Sequence, residues 1–171
     1  SVEPGRVAAI LKCEVPRSRQ ELRRFMGLVG QFRHAIYKYG DIAEPLEAMK
    51  HKDSATACDM GPGSAGLNAF MALRTQLTQM PKLVLPNMRR KFRMHVDASS
   101  TAISLVLSQV GDDGVERPVS FFSKSLSVEQ RKWGIPTKEA YALFYFTTKR
   151  IWHYVATGGP HDVFTDSLST V

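Results

Sequence analysis

Cysteine is scarce in this sequence, and that scarcity excludes two common ways of stabilising a small protein. The 171 residues contain two cysteines, Cys13 and Cys58, which lie far apart and form no C-x-x-C motif. They supply neither a disulfide framework nor a structural zinc site. The five histidines share no metal-ligand spacing, so we interpret them as structural. This usage predicts a reduced, intracellular setting and leaves the compartment open.

Long apolar runs are also absent. No stretch approaches the roughly 20 residues needed to cross a bilayer, so we predict no membrane span. Residues 1–5 have no basic head, no apolar core and no initiator Met, which predicts that this is an internal stretch of a longer chain without a signal peptide. The 43% of hydrophobic and 23% of charged residues are typical of a soluble globular protein.

Acidic residues are outnumbered by basic ones, 16 to 23, which gives a formal net charge of +7. A basic excess favours nucleic acid, an anionic membrane surface or an acidic protein as partner, without choosing among them. The excess is concentrated in residues 1–52 and 89–93, although a solvated surface is the more frequent explanation for either cluster alone. The candidate nucleic-acid contacts are Arg19, Arg23, Arg24, Arg89, Arg90 and Lys91.

The first half of the sequence has helical periodicity. Ser18 and Glu21 form a capping-box pattern, and the apolar residues that follow at helical spacing are Leu22, Phe25, Met26, Val29, Phe32 and Ile36. Gly40 and Asp41 predict the end of this helix, and a shorter one follows from Ile42. We predict a helical module over residues 1–60.

Turn-forming residues between positions 51 and 66 predict a domain boundary. A helix is expected from about Leu67, with Phe70, Leu73 and Leu77 on one buried face, and it ends before Pro81. We therefore predict a linker and tether helix over residues 61–90.

From Lys91 the period changes to that of strands. Alternating residues predict strands over 91–97, 102–108 and 118–123, with a hairpin turn at Gly111–Gly114. A long helix is expected from Pro136 to about Gly158, with a buried stripe of Ala140, Leu143, Phe144, Thr147, Ile151, Tyr154 and Val155. A last strand ends at Asp166. The fold class predicted for residues 91–171 is α/β, a mixed sheet of three antiparallel strands followed by a crossover helix and a fourth, parallel strand.

Three carboxylates are expected at one edge of this sheet. Asp97 and Asp166 end adjacent strands, and Glu139 lies in the first turn of the crossover helix, where the helix dipole favours its charge. Converging carboxylates repel unless a cation lies among them, and hard divalent ions prefer oxygen ligands. Structural roles as turn former and dipole partner are the alternative, and on spacing alone they are the more frequent explanation.

Ordered sequence blocks resemble a known family. They are H-V-D-A-S (95–99), S-L-V-L-S-Q (104–109), P-V-S-F-F-S-K-S-L (118–126), T-K-E-A-Y-A (137–142) and F-T-D (164–166). Together they resemble the RNase H domain of gypsy-class LTR-retrotransposon reverse transcriptases. The blocks R-V-A-A-I (6–10), E-L-R-R-F-M-G-L (21–28) and D-I-A-E-P-L (41–46) resemble the thumb and connection segment just upstream.

The resemblance implies a metal site and a substrate. The family's metal ligands correspond to Asp97, Glu139 and Asp166, with Mg²⁺ (or Mn²⁺) as cofactor. The implied activity is cleavage of the RNA strand of an RNA–DNA hybrid, whose backbone the basic residues would contact. Nothing in the sequence matches the paired aspartates of a polymerase palm, so no polymerase activity is expected.

Several departures from the family pattern leave two hypotheses open. Ser167 and Leu168 replace the usual His and Lys, Ala102 and Ser104 replace usual glycines, and the expected fourth carboxylate and last elements are not in the sequence. The first hypothesis, which the missing fourth carboxylate and last elements favour, is a non-catalytic fragment recruited as a structural subunit of a larger assembly, with other protein subunits as partners and an organelle among the options. The second is a working ribonuclease H in the cytoplasm or nucleus.

Overall fold

The computed structural model describes residues 4–50, 58–156 and 161–165, in which a helical core lies beside a sheet-based core. The helices and strands in chain order are α1 (Pro4–Leu11), α2 (Arg19–Gly30), α3 (Tyr39–Lys50), α4 (Ala65–Thr78), β1 (Arg93–Ala98), β2 (Ala102–Val110), β3 (Glu116–Ser125), α5 (Val128–Arg131), α6 (Ile135–Lys149), α7 (Trp152–Val155) and β4 (Asp162–Thr165).

Ser18 is the N-cap of α2 as predicted, but the second bond of the predicted capping box does not form. Ser18 Oγ accepts a hydrogen bond from the backbone N–H of Glu21 at 3.2 Å. The Glu21 carboxylate accepts from the backbone N–H of Arg17 at 2.8 Å, one residue before the cap, so the return bond of the box is displaced by one position. The predicted apolar face is buried, at Leu22, Phe25, Met26 and Val29.

The end of this helix was predicted wrongly. Helix α2 ends at Gly30, the chain then turns, and Gly40 lies in the first turn of α3 instead of breaking a helix. Gly40 is needed there for a close approach. Its N–H donates to Ser123 Oγ of β3 at 2.8 Å, and a Cβ at this position would collide with that hydroxyl and lie 3.2 Å from Ala102 Cβ.

Helix α4 begins at a cap that the sequence did not single out, since Ser64 Oγ accepts from the N–H of Leu67 at 3.1 Å. Its predicted face is buried, and the ring of Phe70 lies 4.6 Å from that of Phe25, centroid to centroid. Helix α4 therefore shares one core with α1, α2 and α3. The predicted boundary falls partly on residues 51–57, outside the described residues, and the division at 60 and 90 stays a prediction.

The sheet confirms the predicted fold class. Its order is β3-β2-β1-β4, with β2 antiparallel to both β1 and β3, and β4 parallel to β1. Val96 pairs with Leu105 of β2 on one side and with Thr165 of β4 on the other. The hairpin turn forms as expected, with Gly114 at φ +76°.

The crossover helix is shorter than predicted, and its buried face is different. Helix α6 ends at Lys149, and the residues it buries are Lys138, Glu139, Ala142 and Phe146. Ala140 is exposed, and so is Phe144, at 62%. Ile151 is buried as predicted, but it follows the break and precedes the separate helix α7. The prediction assumed one continuous helix from Pro136 to about Gly158, whereas the helix breaks after Lys149.

The helical core packs on strand β3 and on the β1–β2 turn. The N–H of Phe121 donates to the carbonyl of His34 at 2.9 Å, which satisfies part of an edge strand. The hydroxyls of Ser99 and Thr101 both donate to the Asp41 carboxylate of α3. Across residues 4–50, 58–156 and 161–165, every helix is too short or too polar to span a membrane.

Candidate metal centre

Asp97, the first predicted ligand, lies near the carboxyl end of β1 with its side chain 32% exposed. Its carboxylate is engaged by a residue of the helical core, because Lys38 Nζ lies 2.5 Å from Asp97 Oδ2. This hydrogen bond raises the pKa of the Lys38 ammonium above its ordinary value, so Lys38 is charged at neutral pH.

Glu139, the second predicted ligand, is buried at 6% exposure. It lies beyond the first turn of α6, which begins at Ile135 and carries no acidic residue in that turn. The predicted stabilisation by the helix dipole is therefore wrong, because the dipole acts mainly within the first turn. The carboxylate is held instead by the hydroxyl of Thr165, which donates to Glu139 Oε2 at 2.5 Å.

Asp166, the third predicted ligand, lies outside the described residues. The last described residue of β4 is its neighbour Thr165, which pairs in register with Val96, the residue before Asp97. The end of β4 thus lies beside the end of β1 and is hydrogen-bonded to α6. The elements that carry the predicted ligands meet at one edge of the sheet.

A cleft of about 540 Å³ opens at this edge. Its lining includes the Lys38–Asp97 ion pair, and its other side chains come from the turn before α3, from β1 and from β4. They are Tyr37, His95, Val96, Val163, Phe164 and Thr165. The cleft therefore combines the Asp97 carboxylate with cationic and aromatic side chains, whereas Glu139 is not among its lining residues.

A charged network extends from this cleft across the open face of the sheet. His95 stacks on Phe164, with ring centroids 4.8 Å apart, and its Nε2 lies 2.6 Å from Glu116 Oε1. Burial alone would raise the pKa of Glu116, but hydrogen bonds from Ser108, Arg93 and His95 outweigh it and lower the pKa to about 2. His95 lies beside the candidate site, and the interpretation of the histidines as structural stays a prediction.

Lys38 and Lys138 are functional candidates that the sequence analysis missed. Lys138 precedes Glu139, is 3% exposed and donates from Nζ to the carbonyl of Ser99 at 3.3 Å. Lys38 lies in a turn between two helices. No spacing rule links position 38 to position 97, so only the packing of the two cores reveals their contact.

The carboxylates suit a hard divalent ion by chemistry. Oxygen donors are what Mg²⁺ and Mn²⁺ prefer, and Asp97 and Glu139 supply them from adjoining elements. Within the part of the chain that the structure describes, no group of three His, Cys, Asp or Glu side chains is arranged to hold a metal. Two of the three expected ligands are in that part, and the third follows it directly in sequence.

The predicted nucleic-acid contacts lie in two parts of the fold, helix α2 and the segment before β1. Arg23 donates from Nε to the carbonyl of Lys50 at 2.9 Å, and Arg90 forms an ion pair with Asp112. Three others, Arg24, Arg89 and Lys91, are exposed, and Arg19 is half-buried. Residues 89–91 lie at the amino end of β1, roughly 13 Å or more along the strand from Asp97. Their role stays a prediction.

Comparison with known proteins gives a consistent family. Residues 63–162 match the model of the RNase H-like domain found in reverse transcriptase. The chain is 34% identical over 152 residues to the retrovirus-related Pol polyprotein from transposon 297 of Drosophila melanogaster, an alignment that covers 89% of this chain and 14% of that protein. The chain thus spans less than a fifth of the length of this relative.

Solved structures share the fold. A foamy viral protease-reverse transcriptase in complex with dsDNA superposes with a TM-score of 0.77 at 17% identity, over 99% of this chain and 34% of that one. The same viral protein in complex with an RNA/DNA hybrid gives a TM-score of 0.75 at 17% identity, over 99% of this chain and 22% of that one. At this identity the likeness establishes the fold.

Proposed function

Because the chain belongs to the family of RNase H-like domains found in reverse transcriptase, we propose that it cleaves the RNA strand of RNA–DNA hybrids as part of a gypsy-class retroelement polyprotein. The observation that carries the proposal is the hydrogen bond from Thr165 to Glu139, formed where Thr165 also pairs with Val96. This contact supports the proposal because it joins α6 to β4, which pairs with β1, so the elements that carry Asp97 and Glu139 adjoin.

The residues that would hold Mg²⁺ or Mn²⁺ are Asp97, Glu139 and Asp166. Divalent ions bound there would supply an activated water and charge stabilisation for the leaving oxygen. Asp97 presents a partly exposed carboxylate to the cleft, where a nucleic-acid backbone has access to it. Glu139 is buried, and Thr165 fixes its orientation, so both side chains are positioned before substrate binds.

The proposed substrate is supported by charge and by structural likeness. The formal net charge of +7 favours a polyanion. A foamy viral protein with this fold is known in complex with an RNA/DNA hybrid. The exposed basic residues Arg24, Arg89 and Lys91 are proposed to contact the backbone of such a duplex without reading its sequence.

The test is a cleavage assay on an RNA–DNA hybrid with the label on either strand, with Mg²⁺ supplied. We expect the wild type to cut the RNA strand alone and Asp97→Asn to lose at least about 100-fold in rate. Asp162→Asn is the matched control, because Asp162 is at the start of β4, beside Arg93 and away from Asp97. The cleavage rate of this variant should match that of the wild type. A wild type without cleavage, or a fully active Asp97→Asn variant, would overturn the proposal.

A second candidate function is a non-catalytic building block. The specific observation in its favour is the Lys38–Asp97 ion pair, which compensates a ligand charge without any metal. The contacts of α3 with β3 and with the β1–β2 turn also preserve the fold independently of the ligands. A folded wild type that binds neither hybrid nor divalent ions would favour this function over the first.

A further inference from the structure

Lys38 has an unusual backbone conformation. It is the one non-glycine residue with a positive φ, 52°, within the described ranges. This left-handed region is unfavourable for a residue with a Cβ and persists only where the surroundings impose it. Here Ile36 and Tyr39 are both buried in the helical core and fix the chain on either side. The turn therefore directs the Lys38 side chain at a cost in backbone energy.

The ammonium of Lys38 contacts the carboxylate of Asp97, the first proposed metal ligand. Its Nζ lies 2.5 Å from Asp97 Oδ2 and 5.5 Å from the centre of the Tyr37 ring. Lys38 belongs to the turn before α3, whereas Asp97 belongs to the sheet. Near this ion pair, helix α3 joins the helical core to the sheet-based core. Gly40 donates to Ser123, and Thr101 donates to Asp41. The position of Lys38 over Asp97 is thus set by the docking of one core on the other.

We propose that Lys38 is a tethered cation that positions the Asp97 carboxylate and is displaced when a divalent ion binds there, so that docking of the helical core sets the metal affinity of the site. This inference rests on the proposed function. An ammonium and a divalent ion compete for the same carboxylate oxygens and repel each other at this distance. Metal binding must therefore break the ion pair, which weakens the observed affinity.

The size of the expected change in metal affinity depends on how exposed the Lys38–Asp97 ion pair is. The side chains are 38% and 32% exposed, so solvent screens their attraction. Loss of the competing ammonium, together with its repulsion of the ion, should tighten metal binding by about 3-fold to 10-fold at low salt. High salt should reduce this difference.

The experiment is calorimetric titration of Mn²⁺ into the whole chain at low salt. Lys38→Met is expected to bind Mn²⁺ about 3-fold to 10-fold more tightly than the wild type. Lys38→Arg retains the charge and should bind like the wild type. Lys82→Met is the matched control, an exposed lysine away from the cleft, and should also be unchanged. Asp97→Asn should abolish Mn²⁺ binding at this site, both alone and combined with each lysine variant.

A second variant guards against a folding defect. Lys38→Gly removes the ammonium and also relieves the left-handed backbone, so it should fold at least as well as the wild type while showing the same tighter binding. Equal Mn²⁺ affinity in the wild type, Lys38→Met and Lys38→Gly would overturn this inference and leave the proposed function intact. Absence of Mn²⁺ binding in all of these proteins would overturn both.

Discussion

The hydroxyl of Thr165 donates a hydrogen bond to the carboxylate of Glu139 at 2.5 Å and so joins β4 to α6. Thr165→Val should remove this bond while preserving the shape of the side chain. We expect the rate of hybrid cleavage to fall by about 10-fold to 100-fold, because Glu139 loses the group that orients it. Thr165→Ser keeps the hydroxyl and should stay close to the wild type. Equal rates for both variants would contradict a positioning role for Thr165.

Gly40 provides a test of the contact between the two cores. Gly40→Ala introduces a Cβ against Ser123 Oγ and Ala102, and should lower the free energy of unfolding by about 1–3 kcal/mol. Gly27→Ala is the matched control. Gly27 lies inside α2 with nothing within 4 Å of the added Cβ, and the change should stabilise by up to about 1 kcal/mol. Urea denaturation measures both, and a neutral Gly40→Ala would refute the close packing of α3 on β3.

Glu116 predicts a pH dependence of stability. Its pKa is lowered to about 2 in the folded protein from an ordinary value of 4.5. Because the pKa of Glu116 is lower in the folded protein, its ionised carboxylate stabilises the fold at every pH above the pKa of the unfolded chain. This stabilisation is lost as the pH falls from about 4.5 through about 2. Allowing for 31% exposure of the side chain, the contribution is about 2 kcal/mol.

The measurement for Glu116 is urea denaturation of the wild type and Glu116→Gln, at neutral pH and at intervals below about pH 4.5. The variant should be less stable than the wild type at neutral pH, and the difference should shrink as the solution is acidified. A difference that stays constant with pH would mean that the network of Ser108, Arg93 and His95 does not favour the ionised carboxylate.

The basic residues predict a salt-dependent, sequence-independent affinity for hybrid. Arg24→Ala and Lys91→Ala should each weaken binding to all sequences alike and reduce the slope of log K against log salt by about 1. Arg90→Ala should have a smaller effect, because Asp112 already engages that guanidinium. Fluorescence anisotropy at several salt concentrations measures the slopes. Slopes unchanged in Arg24→Ala and Lys91→Ala would remove these residues from the interface.

The sheet was predictable because its signals are local. Alternating apolar residues mark the strands, and the helix between the third and fourth strands dictates a parallel pairing of β4 with β1. The start of α2 also followed from the nearby cap Ser18, whereas α4 begins at Ala65, two residues before the predicted start. The end of α2 and the phase of α6 did not follow from nearby residues, because the deciding contacts are tertiary. Gly40 was interpreted as a helix breaker, yet its position is explained only by Ser123, 83 residues away in the sequence.

The candidate site was predictable in outline and not in its partners. Asp97 and Glu139 were identified from strand ends, helix position and sequence blocks. Their actual partners, Lys38 and Thr165, come from other elements and carry no motif of their own. The sequence also suggested that the helix dipole stabilises Glu139, whereas the observed partner of its carboxylate is the half-buried hydroxyl of Thr165. The local pattern predicts candidate ligands, and packing determines which side chains contact them.

Binding of one cation by both Asp97 and Glu139 is tested most directly by diffraction from crystals grown with Mn²⁺, with data collected at the manganese absorption edge. We predict an anomalous peak about 2 Å from a carboxylate oxygen of each residue, with Lys38 moved away from Asp97. A peak only at surface carboxylates such as Asp112, or two carboxylates that point to different sides of the sheet, would contradict the metal centre and the function proposed from it.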